Sequence, residues 1–285
     1  MTAARLEVRE ITVAFGGLRA LDAVGFTVEP GEVVGMIGPN GSGKTTALDV
    51  LSGLRTPDSG RVLLDGVDLE EYLPEERAAA GVVRSFQDAR LFPELTVTEV
   101  LLLCEDARRP VGVLASTLGL PSARRMDAAK RAAVGEVVGA MGLTRFADHR
   151  IAHLSTGTRR VVDLAAMVLA QPRLLLLDEP TAGIAQREAE AFVPLLRRLH
   201  EVTGTTLVLV EHDVPLVFAL CERVVVMETG RVVAVGTPDE LRTDPRALAA
   251  YLGARDEALL VSGPADGSGP AGASGPADPD EPTTR

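Results

Sequence analysis

A glycine-rich segment, preceded by an apolar strand and followed by a helix, constrains the fold of this chain more than any other feature. Residues 38–45 read Gly-Pro-Asn-Gly-Ser-Gly-Lys-Thr, the run Val33–Ile37 before them is apolar, and a helical pattern begins at about Lys44. Glycines let successive backbone N–H groups turn inward around an anion, and the helix N-terminus adds its positive end. The pattern therefore predicts a phosphate-binding loop.

Two side chains of this loop have predicted roles toward a nucleotide and its metal ion. Lys44 is expected to hold the β- and γ-phosphates of ATP, and the hydroxyl group of Thr45 is expected to coordinate Mg²⁺. An ordinary glycine turn is the alternative, but such a turn requires neither the strand before the loop nor the helix after it. The predicted nucleotide-binding residues of the loop are Gly38, Pro39, Asn40, Gly41, Ser42, Gly43, Lys44, Thr45 and Thr46.

A second apolar strand ends in two acidic residues. Leu174–Leu177 is a run of leucines, and Asp178 and Glu179 follow it directly. Ligands of open α/β sheets bind at the carboxyl ends of the strands. We therefore expect Asp178 to hold Mg²⁺ through water, and Glu179 to orient and deprotonate the water that attacks the γ-phosphate. A solvated pair of acids at a strand end is the alternative.

Two further polar residues follow strands of the same predicted sheet. His212 comes after the strand Thr206–Val210 and is expected to donate a hydrogen bond to the γ-phosphate, although a lone histidine is often only structural. Gln87 follows Val82–Phe86, and its amide is expected to contact both Mg²⁺ and the attacking water. The predicted catalytic residues are Glu179, His212 and Gln87, and the predicted metal ligands are Thr45, Gln87 and Asp178.

Strand and helix patterns alternate along most of the chain, which is typical of a parallel sheet covered by helices on both faces. Leu6–Ala14 and Val24–Glu29 are predicted strands, whereas residues 88–153 have helical patterns and few strand signals. We expect an α/β fold: a P-loop NTPase (RecA-like) core, an antiparallel β subdomain and an inserted helical subdomain. The expected boundaries are 1–87 and 154–252 for the core, 88–153 for the insertion and 253–285 for a disordered tail rich in Gly, Pro and Ala.

The composition excludes several classes of protein. A net charge of -11 argues against a nucleic-acid partner, because a phosphate backbone needs a basic face. No stretch approaches the roughly 20 apolar residues of a membrane-spanning helix. Met1–Glu10 already has the pattern of a strand and so does not resemble a signal peptide. Cys104 and Cys221 are expected to be buried, reduced thiols, and these features together predict a cytoplasmic protein.

The segment Leu154-Ser-Thr-Gly-Thr-Arg-Arg, ahead of the strand that ends in Asp178, resembles the signature motif Leu-Ser-Gly-Gly-Gln of ABC ATPases. Together with Gln87 and His212, it makes residues 5–252 similar to one ABC nucleotide-binding domain. A closer similarity, to the ATPases of branched-chain amino-acid importers, rests on four stretches. These are Phe15-Gly-Gly-Leu-Arg-Ala-Leu, Arg84-Ser-Phe-Gln-Asp-Ala-Arg-Leu-Phe, Gly236-Thr-Pro-Asp-Glu-Leu and Ala250-Tyr-Leu-Gly253.

The resemblance implies roles and partners that the residues alone do not. It makes Phe15 the ring that stacks on adenine, and Ser155 with Gly157 the donors to ATP held by a second ABC ATPase subunit in a hetero- or homodimer. It implies an ATP hydrolase, with ATP and Mg²⁺ as cofactors, that lies at the inner face of the cell membrane and drives transmembrane permease subunits. The expected function is uptake of branched-chain or related amino acids or amides, delivered by an extracytoplasmic solute-binding protein.

The chain departs from the family pattern where it faces a partner. Thr156 stands where the family usually has Gly, Thr158 where it usually has Gln, and Ala185 where the subgroup carries Asn or Asp. Three alternatives stay open: the ATPase of an exporter, including a lipid exporter; a soluble ABC ATPase acting on ribosomes or DNA; and a P-loop kinase. The soluble ATPases usually carry two such domains or a long coiled-coil insertion, and a kinase needs neither the Ser155 motif nor His212.

Overall fold

Strands and helices alternate through most of the chain in the computed structural model, which describes residues 2–85, 91–109, 121–184 and 186–252. The strands are β1 (Leu6–Phe15), β2 (Leu18–Val28), β3 (Val33–Ile37), β4 (Ser59–Leu64), β5 (Val67–Asp68), β6 (Val82–Arg84), β7 (Leu174–Asp178), β8 (Thr206–Val210), β9 (Arg223–Glu228) and β10 (Arg231–Gly236). The helices are α1 (Lys44–Ser52), α2 (Pro74–Ala79), α3 (Val97–Arg108), α4 (Pro121–Ala140), α5 (Thr156–Leu169), α6 (Gln186–Thr203), α7 (Val214–Leu220), α8 (Pro238–Leu241) and α9 (Pro245–Leu252). Short 3-10 turns lie at Thr144–Phe146 and Ile151–His153.

The central sheet of the described residues has the strand order β10-β9-β3-β8-β7-β6, and β9, β3, β8, β7 and β6 run parallel. Every residue of β3, β7 and β8 is buried, as expected for strands that are covered on both faces. Alternate residues enter different cores: Leu175 packs with the helices α5 and α6, whereas Leu176 packs with α1 and the second sheet. This architecture confirms the predicted α/β fold with its P-loop NTPase core.

The second sheet is antiparallel and has the order β2-β1-β4-β5. A two-residue turn at Gly16-Gly17 joins β1 to β2, and Gly16 has a φ of 60°, a conformation that favours glycine. The prediction that the second strand begins at Val24 was wrong, because β2 starts at Leu18. The first residues of β2, Leu18 and Arg19, are exposed, and Arg19 and Asp22 interrupt the apolar run that marked the other strands.

The helices α3 and α4 pack against α5 on one side of the central sheet. Thr96 begins α3 with a capping box, in which its backbone N–H donates to Glu99 Oε2 at 2.8 Å. Val100 and Val134 belong to the same apolar core as Leu175 of the central sheet, so the helices and the sheet share buried surface. The division at residues 88 and 153 stays a prediction, and residues 86–90 and 110–120 lie outside the described ranges.

The last described part of the chain is a hairpin, β9 and β10, followed by the two short helices α8 and α9. Thr229 and Gly230 turn β9 into β10 with φ values of 45° and 77°. Within the described residues, Cys104 and Cys221 are free thiols, and no helix has both the length and the apolar character that a bilayer span requires. The predicted tail, 253–285, lies outside the described residues.

Candidate nucleotide-binding site

The glycine-rich loop lies between β3 and α1, where the backbone is packed too closely for side chains at two positions. A Cβ at Gly38 would lie 2.1 Å from the carbonyl oxygen of Met227, and one at Gly43 would lie 2.5 Å from that of Ala20. Gly43 also has a φ of 102° and directly precedes α1. These contacts explain why both positions need glycine, and they leave the N-terminus of α1 open toward the loop.

Lys44 is buried, with 5% of its surface exposed, and its ammonium group is held inside the loop. Its Nζ donates to the carbonyl oxygens of Gly38 at 2.8 Å and of Pro39 at 3.0 Å. Burial lowers the pKa of Lys44, while the nearby carboxylates of Glu179 and Asp178 act in the opposite direction. A partly desolvated cation that is held inside a glycine-rich loop is suited to bind a polyphosphate.

Asp178 ends β7 beside the loop and is almost completely buried. Its Oδ2 accepts a hydrogen bond from Arg84 Nη2 at 2.9 Å, and its backbone N–H donates to Ser85 Oγ at 2.9 Å. Burial raises the pKa of Asp178, although its ion pair with Arg84 opposes that effect. Arg84 also reaches Asp49 Oδ1 of α1 at 2.6 Å, so one guanidinium group joins β6, β7 and α1.

Two buried oxygen atoms at this edge of the sheet have no hydrogen-bond partner among the described residues. They are Asp178 Oδ1 and Ser42 Oγ. A buried oxygen without a partner is unusual in a folded protein, and a bound ion or water is one arrangement that satisfies it. Carboxylate and hydroxyl oxygens are also the ligands that Mg²⁺ takes, together with phosphates and water. The donor set therefore fits a magnesium ion next to the phosphate loop.

Glu179 and His212 form a direct pair at the mouth of the loop. Glu179 Oε1 lies 2.8 Å from His212 Nε2, and the backbone of Glu179 has a φ of 47°, which a non-glycine residue rarely adopts. Glu211 fixes the surroundings, because its buried carboxylate accepts hydrogen bonds from the backbone N–H and the hydroxyl group of Thr181 at 2.8 and 2.6 Å. Burial raises the pKa of Glu211. The strained backbone thus points the Glu179 carboxylate into the cleft.

These residues line a cleft of about 460 Å³. Its walls are Phe15, Leu18, Arg19, Ala20, Asn40, Gly41, Gly43, Lys44, Thr45, Thr46, Glu179, His212 and Thr229. The structure therefore brings most of the predicted phosphate loop together with Glu179, His212 and Phe15. Asp178 lies just beneath the cleft, next to Arg84.

The signature residues lie elsewhere on the chain. Ser155 and Gly157 are at the N-terminus of α5, and neither lines the cleft. Ser155 is exposed, and its Oγ accepts a hydrogen bond from the backbone N–H of Thr158 at 3.2 Å and lies 3.0 Å from Thr158 Oγ1. Gln87 and Ala185, for which the sequence also raised predictions, lie outside the described residues.

Sequence reasoning missed two residues that hold the site together, Arg84 and Glu211. Both residues could have been identified from the sequence. Each is a charged residue within or directly after a strongly apolar strand, and a charge that is buried there must have a partner. The identity of the partners, Asp178 for Arg84 and Thr181 for Glu211, depends on strand order and was not readable from the sequence.

The fold and this edge of the sheet define a P-loop nucleotide-binding protein. The profile of the ABC transporter family matches residues 21–182, and that of the branched-chain amino acid ATP-binding cassette transporter family matches residues 231–257. The chain belongs to the ABC transporter family. This confirms the predicted family and the predicted ATP-hydrolysing transporter subunit.

Two relatives match over nearly their whole length. The high-affinity branched-chain amino acid transport ATP-binding protein BraF of Pseudomonas aeruginosa is 37% identical over 248 residues, which are 87% of this chain and 97% of BraF. The corresponding protein LivG of Escherichia coli is 36% identical, with the same coverage of both chains. The similarity therefore extends over the whole nucleotide-binding domain.

Two solved structures have the same fold. The ADP conformation of MJ1267, an ATP-binding cassette of an ABC transporter, has a TM-score of 0.73 and 28% identity, and covers 89% of this chain and 99% of MJ1267. The dimeric structure of MJ0796, a bacterial ABC transporter cassette, has a TM-score of 0.68 and 26% identity, and covers 82% of this chain and 98% of MJ0796. Cassettes with this fold thus occur as dimers.

Proposed function

We propose that the cleft binds ATP with Mg²⁺ and that this chain hydrolyses it to drive uptake of amino acids. The observation that carries the proposal is the arrangement of Lys44, Asp178 and the Glu179–His212 pair at the carboxyl ends of three adjacent strands, β3, β7 and β8. ATP hydrolysis needs a cation for the phosphates, a carboxylate for the metal and a base for water, and Lys44, Asp178 and Glu179 are residues of these three types.

The proposed role of each residue rests on its contacts or on the sequence. Lys44 exchanges its hydrogen bonds with the Gly38 and Pro39 carbonyls for bonds to the β- and γ-phosphates. Thr45, Asp178 and, from the sequence, Gln87 would hold a magnesium ion, which would neutralise phosphate charge when bound. Glu179 accepts the proton of the attacking water, and His212 exchanges its contact with the Glu179 carboxylate for a hydrogen bond donated to the γ-phosphate. Phe15 stacks on the adenine.

The site is completed by a second subunit. Ser155 is exposed at the N-terminus of α5, where free backbone N–H groups and the positive end of the helix suit a γ-phosphate. It does not line the cleft of its own chain. We therefore propose that Ser155 and Gly157 close over ATP held by another ABC ATPase subunit. The dimeric form of MJ0796 supports this arrangement.

The solute and the membrane partners are proposed from the relatives. BraF and LivG are both named for high-affinity branched-chain amino acid transport. We propose that this chain energises transmembrane permease subunits at the inner face of the membrane, and that a solute-binding protein delivers a branched-chain amino acid, a related amino acid or an amide. An exporter ATPase and a soluble ABC ATPase remain as outcomes of the test.

The test measures transport in the native host. A strain that lacks this chain should lose uptake of labelled leucine, isoleucine and valine, and the wild-type chain should restore it. Lys44→Ala should fail to restore uptake, and a titration of the purified variant with labelled ATP should show weaker binding. Unchanged uptake with reduced efflux of a lipid or solute would favour an exporter instead. Unchanged transport in both directions would favour the soluble ATPase.

A further inference from the structure

The ring of Phe15, which lines the cleft, also contacts the side chain of Arg55. The guanidinium carbon of Arg55 lies 3.8 Å from the centroid of the Phe15 ring, well within the distance at which a cation and an aromatic ring attract each other. Arg55 Nη2 also donates to the carbonyl oxygen of Ala14 at 3.2 Å. The guanidinium group is thus attached both to the ring and to the strand that carries it.

The Phe15 ring borders the cleft, and it also contacts Arg55, which is not among the cleft residues. Phe15 lines the cleft, but Arg55 does not, and 49% of Phe15 is exposed. The guanidinium group thus contacts the Phe15 ring without being one of the residues that line the cleft. Part of the ring surface stays open toward the space above the phosphate loop, where the base of a nucleotide has room.

Arg55 is also tied to the phosphate loop through α1. This helix begins at Lys44 and ends at Ser52, and it is about 13 Å long at 1.5 Å per residue. The backbone N–H of Arg55 donates to the carbonyl oxygen of Asp49 within the helix at 3.1 Å. One short, rigid element therefore connects the group that holds the phosphates to the group that holds the ring.

We propose that Arg55 is a positioning residue for the nucleotide base: it holds the Phe15 ring in place, so that the ring stacks on the adenine of ATP. The inference rests on the proposed role of Phe15. A half-exposed ring without this support has freedom about its side-chain torsions, and that freedom is lost when the base binds. Ordering the ring in advance removes this loss from the binding free energy.

The experiment compares a ligand that has a base with one that has none. Purified full-length chain is titrated with ATP and, separately, with inorganic tripolyphosphate. Arg55→Met should raise the Kd for ATP about two- to fivefold, the range expected when one side chain must be ordered on binding and not beforehand, and leave the Kd for tripolyphosphate unchanged. Arg55→Lys keeps the charge but not the planar group, and it should have an intermediate effect. Melting temperatures establish that each variant is folded.

A double-mutant cycle separates the inference from its premise. Phe15→Leu should weaken ATP binding but not tripolyphosphate binding, and Arg55→Met should add nothing to it, because the two residues act as one unit. The control is Arg242→Met, which removes a guanidinium group 5.2 Å from the ring of Phe218 outside the cleft, and it should leave both Kd values unchanged.

Three results would overturn the inference. Equal weakening of ATP and tripolyphosphate binding in Arg55→Met would mean that Arg55 acts on the phosphate loop. Additive effects in the double variant would mean that Arg55 acts independently of Phe15. If Phe15→Leu raises the Kd for ATP and Arg55→Met does not, the proposed role of Arg55 is wrong, but that of Phe15 stands. If Phe15→Leu leaves the Kd for ATP unchanged, the role of Phe15 in the proposed function is wrong.

Discussion

The two halves of the proposed ATP site differ in how firmly the chain itself holds them. The cis half comprises Lys44, Asp178, Glu179 and His212, and the trans half is the N-terminus of α5 around Ser155. Lys44 and Asp178 are 5% and 2% exposed, and both are held by hydrogen bonds or ion pairs. Ser155 is exposed and bonds only to its own helical turn among the contacts of the described residues.

The difference follows from where each half lies in the fold. The cis half extends from buried strands whose register is set by two apolar cores, so its geometry is a by-product of folding. The trans half is a helix end at which Ser155 and Thr156 are exposed. We infer that the cis half has fixed geometry before ATP binds, whereas the trans half acquires its contacts only from a second subunit. Four variants test this comparison.

Glu179→Gln should have the largest effect and should separate binding from hydrolysis. If the cis half alone binds ATP, this variant keeps the ATP Kd while hydrolysis falls about 10²- to 10⁴-fold, because the base for water is lost. Turnover is measured by phosphate release, and binding by titration with ATP. The control is Glu228→Gln, an exposed carboxylate at the end of β9 that does not line the cleft. Hydrolysis near the wild-type rate in Glu179→Gln would remove Glu179 as the base.

Arg84→Met should show how far the cis half depends on one buried cation. Its guanidinium group, 7% exposed, pairs with Asp178 and Asp49, so its removal leaves two carboxylates without their partner. We expect the free energy of unfolding to fall by about 3 kcal/mol, measured by urea denaturation. Arg61→Met removes an exposed arginine whose contact with Asp68 is 3.7 Å long, and it should change little. Equal effects of the two variants would contradict the view that the cis half is fixed by folding.

Arg84 also illustrates what could and could not be predicted from the sequence. The bounds of β3 and β8 were predicted correctly, because fully buried strands are continuous apolar runs between glycine or polar breaks. The phosphate loop was predicted because its chemistry depends on local backbone turns. The structural role of Arg84 was not predicted, because it depends on two partners, Asp49 and Asp178, that are far away in sequence.

The ends of partly exposed elements were harder to predict. β2 begins at Leu18 and not at Val24, since its first residues face solvent and carry no periodic apolar signal. The short helix Val214–Leu220 was not predicted; it begins after Asp213, whose Oδ1 accepts from the backbone N–H of Leu216, and carries Pro215 in its first turn. Such elements depend on capping and tertiary packing more than on pattern. The roles of Gln87 and Ala185 stay predictions.

Asp163→Asn tests whether the helix of the trans half is optimised for stability. Burial raises the pKa of Asp163 in α5 to about 6, although Arg160 acts in the opposite direction. The folded chain therefore holds this proton more tightly than the unfolded chain, whose Asp pKa is near its ordinary value of 3.8. Below pH 3.8, Asp163 does not lower the free energy of unfolding. Between pH 3.8 and 6 its ionisation lowers this free energy progressively, and above pH 6 the loss is complete.

The neutral variant should consequently be more stable than the wild type by about 1–2 kcal/mol at pH 7.5, after allowance for solvent screening, and the gap should narrow as the pH falls through 5. Urea denaturation at several pH values measures it. Asp148→Asn, which changes an exposed carboxyl group before the 3-10 turn Ile151–His153, should show no such pH-dependent gap. A gap of constant size would mean that the proton on Asp163 does not govern the stability of this helix.

The smallest expected effect concerns the altered signature itself. Thr156 adds a branched side chain at the exposed first turn of α5, where the family usually has glycine. The Oγ1 of Thr158 lies 3.0 Å from Ser155 Oγ, so the hydroxyl group that should donate to ATP already has a partner. Both features should weaken contacts made to another subunit without changing the cis half. We therefore expect the chain alone to hydrolyse ATP slowly.

Thr156→Gly and Thr158→Gln, installed together, should raise that turnover several-fold and leave the ATP Kd of the isolated chain unchanged, because only the contacts across the dimer improve. Thr144→Gln, at an exposed position of a 3-10 turn, serves as the control. A homodimer would carry the altered signature at both sites, so a gain in the double variant would favour a different natural partner whose signature is closer to Leu-Ser-Gly-Gly-Gln. If the wild-type chain already hydrolyses ATP rapidly and the double variant is no faster, Thr156 and Thr158 do not slow hydrolysis. The two halves of the site would then differ in burial but not in function.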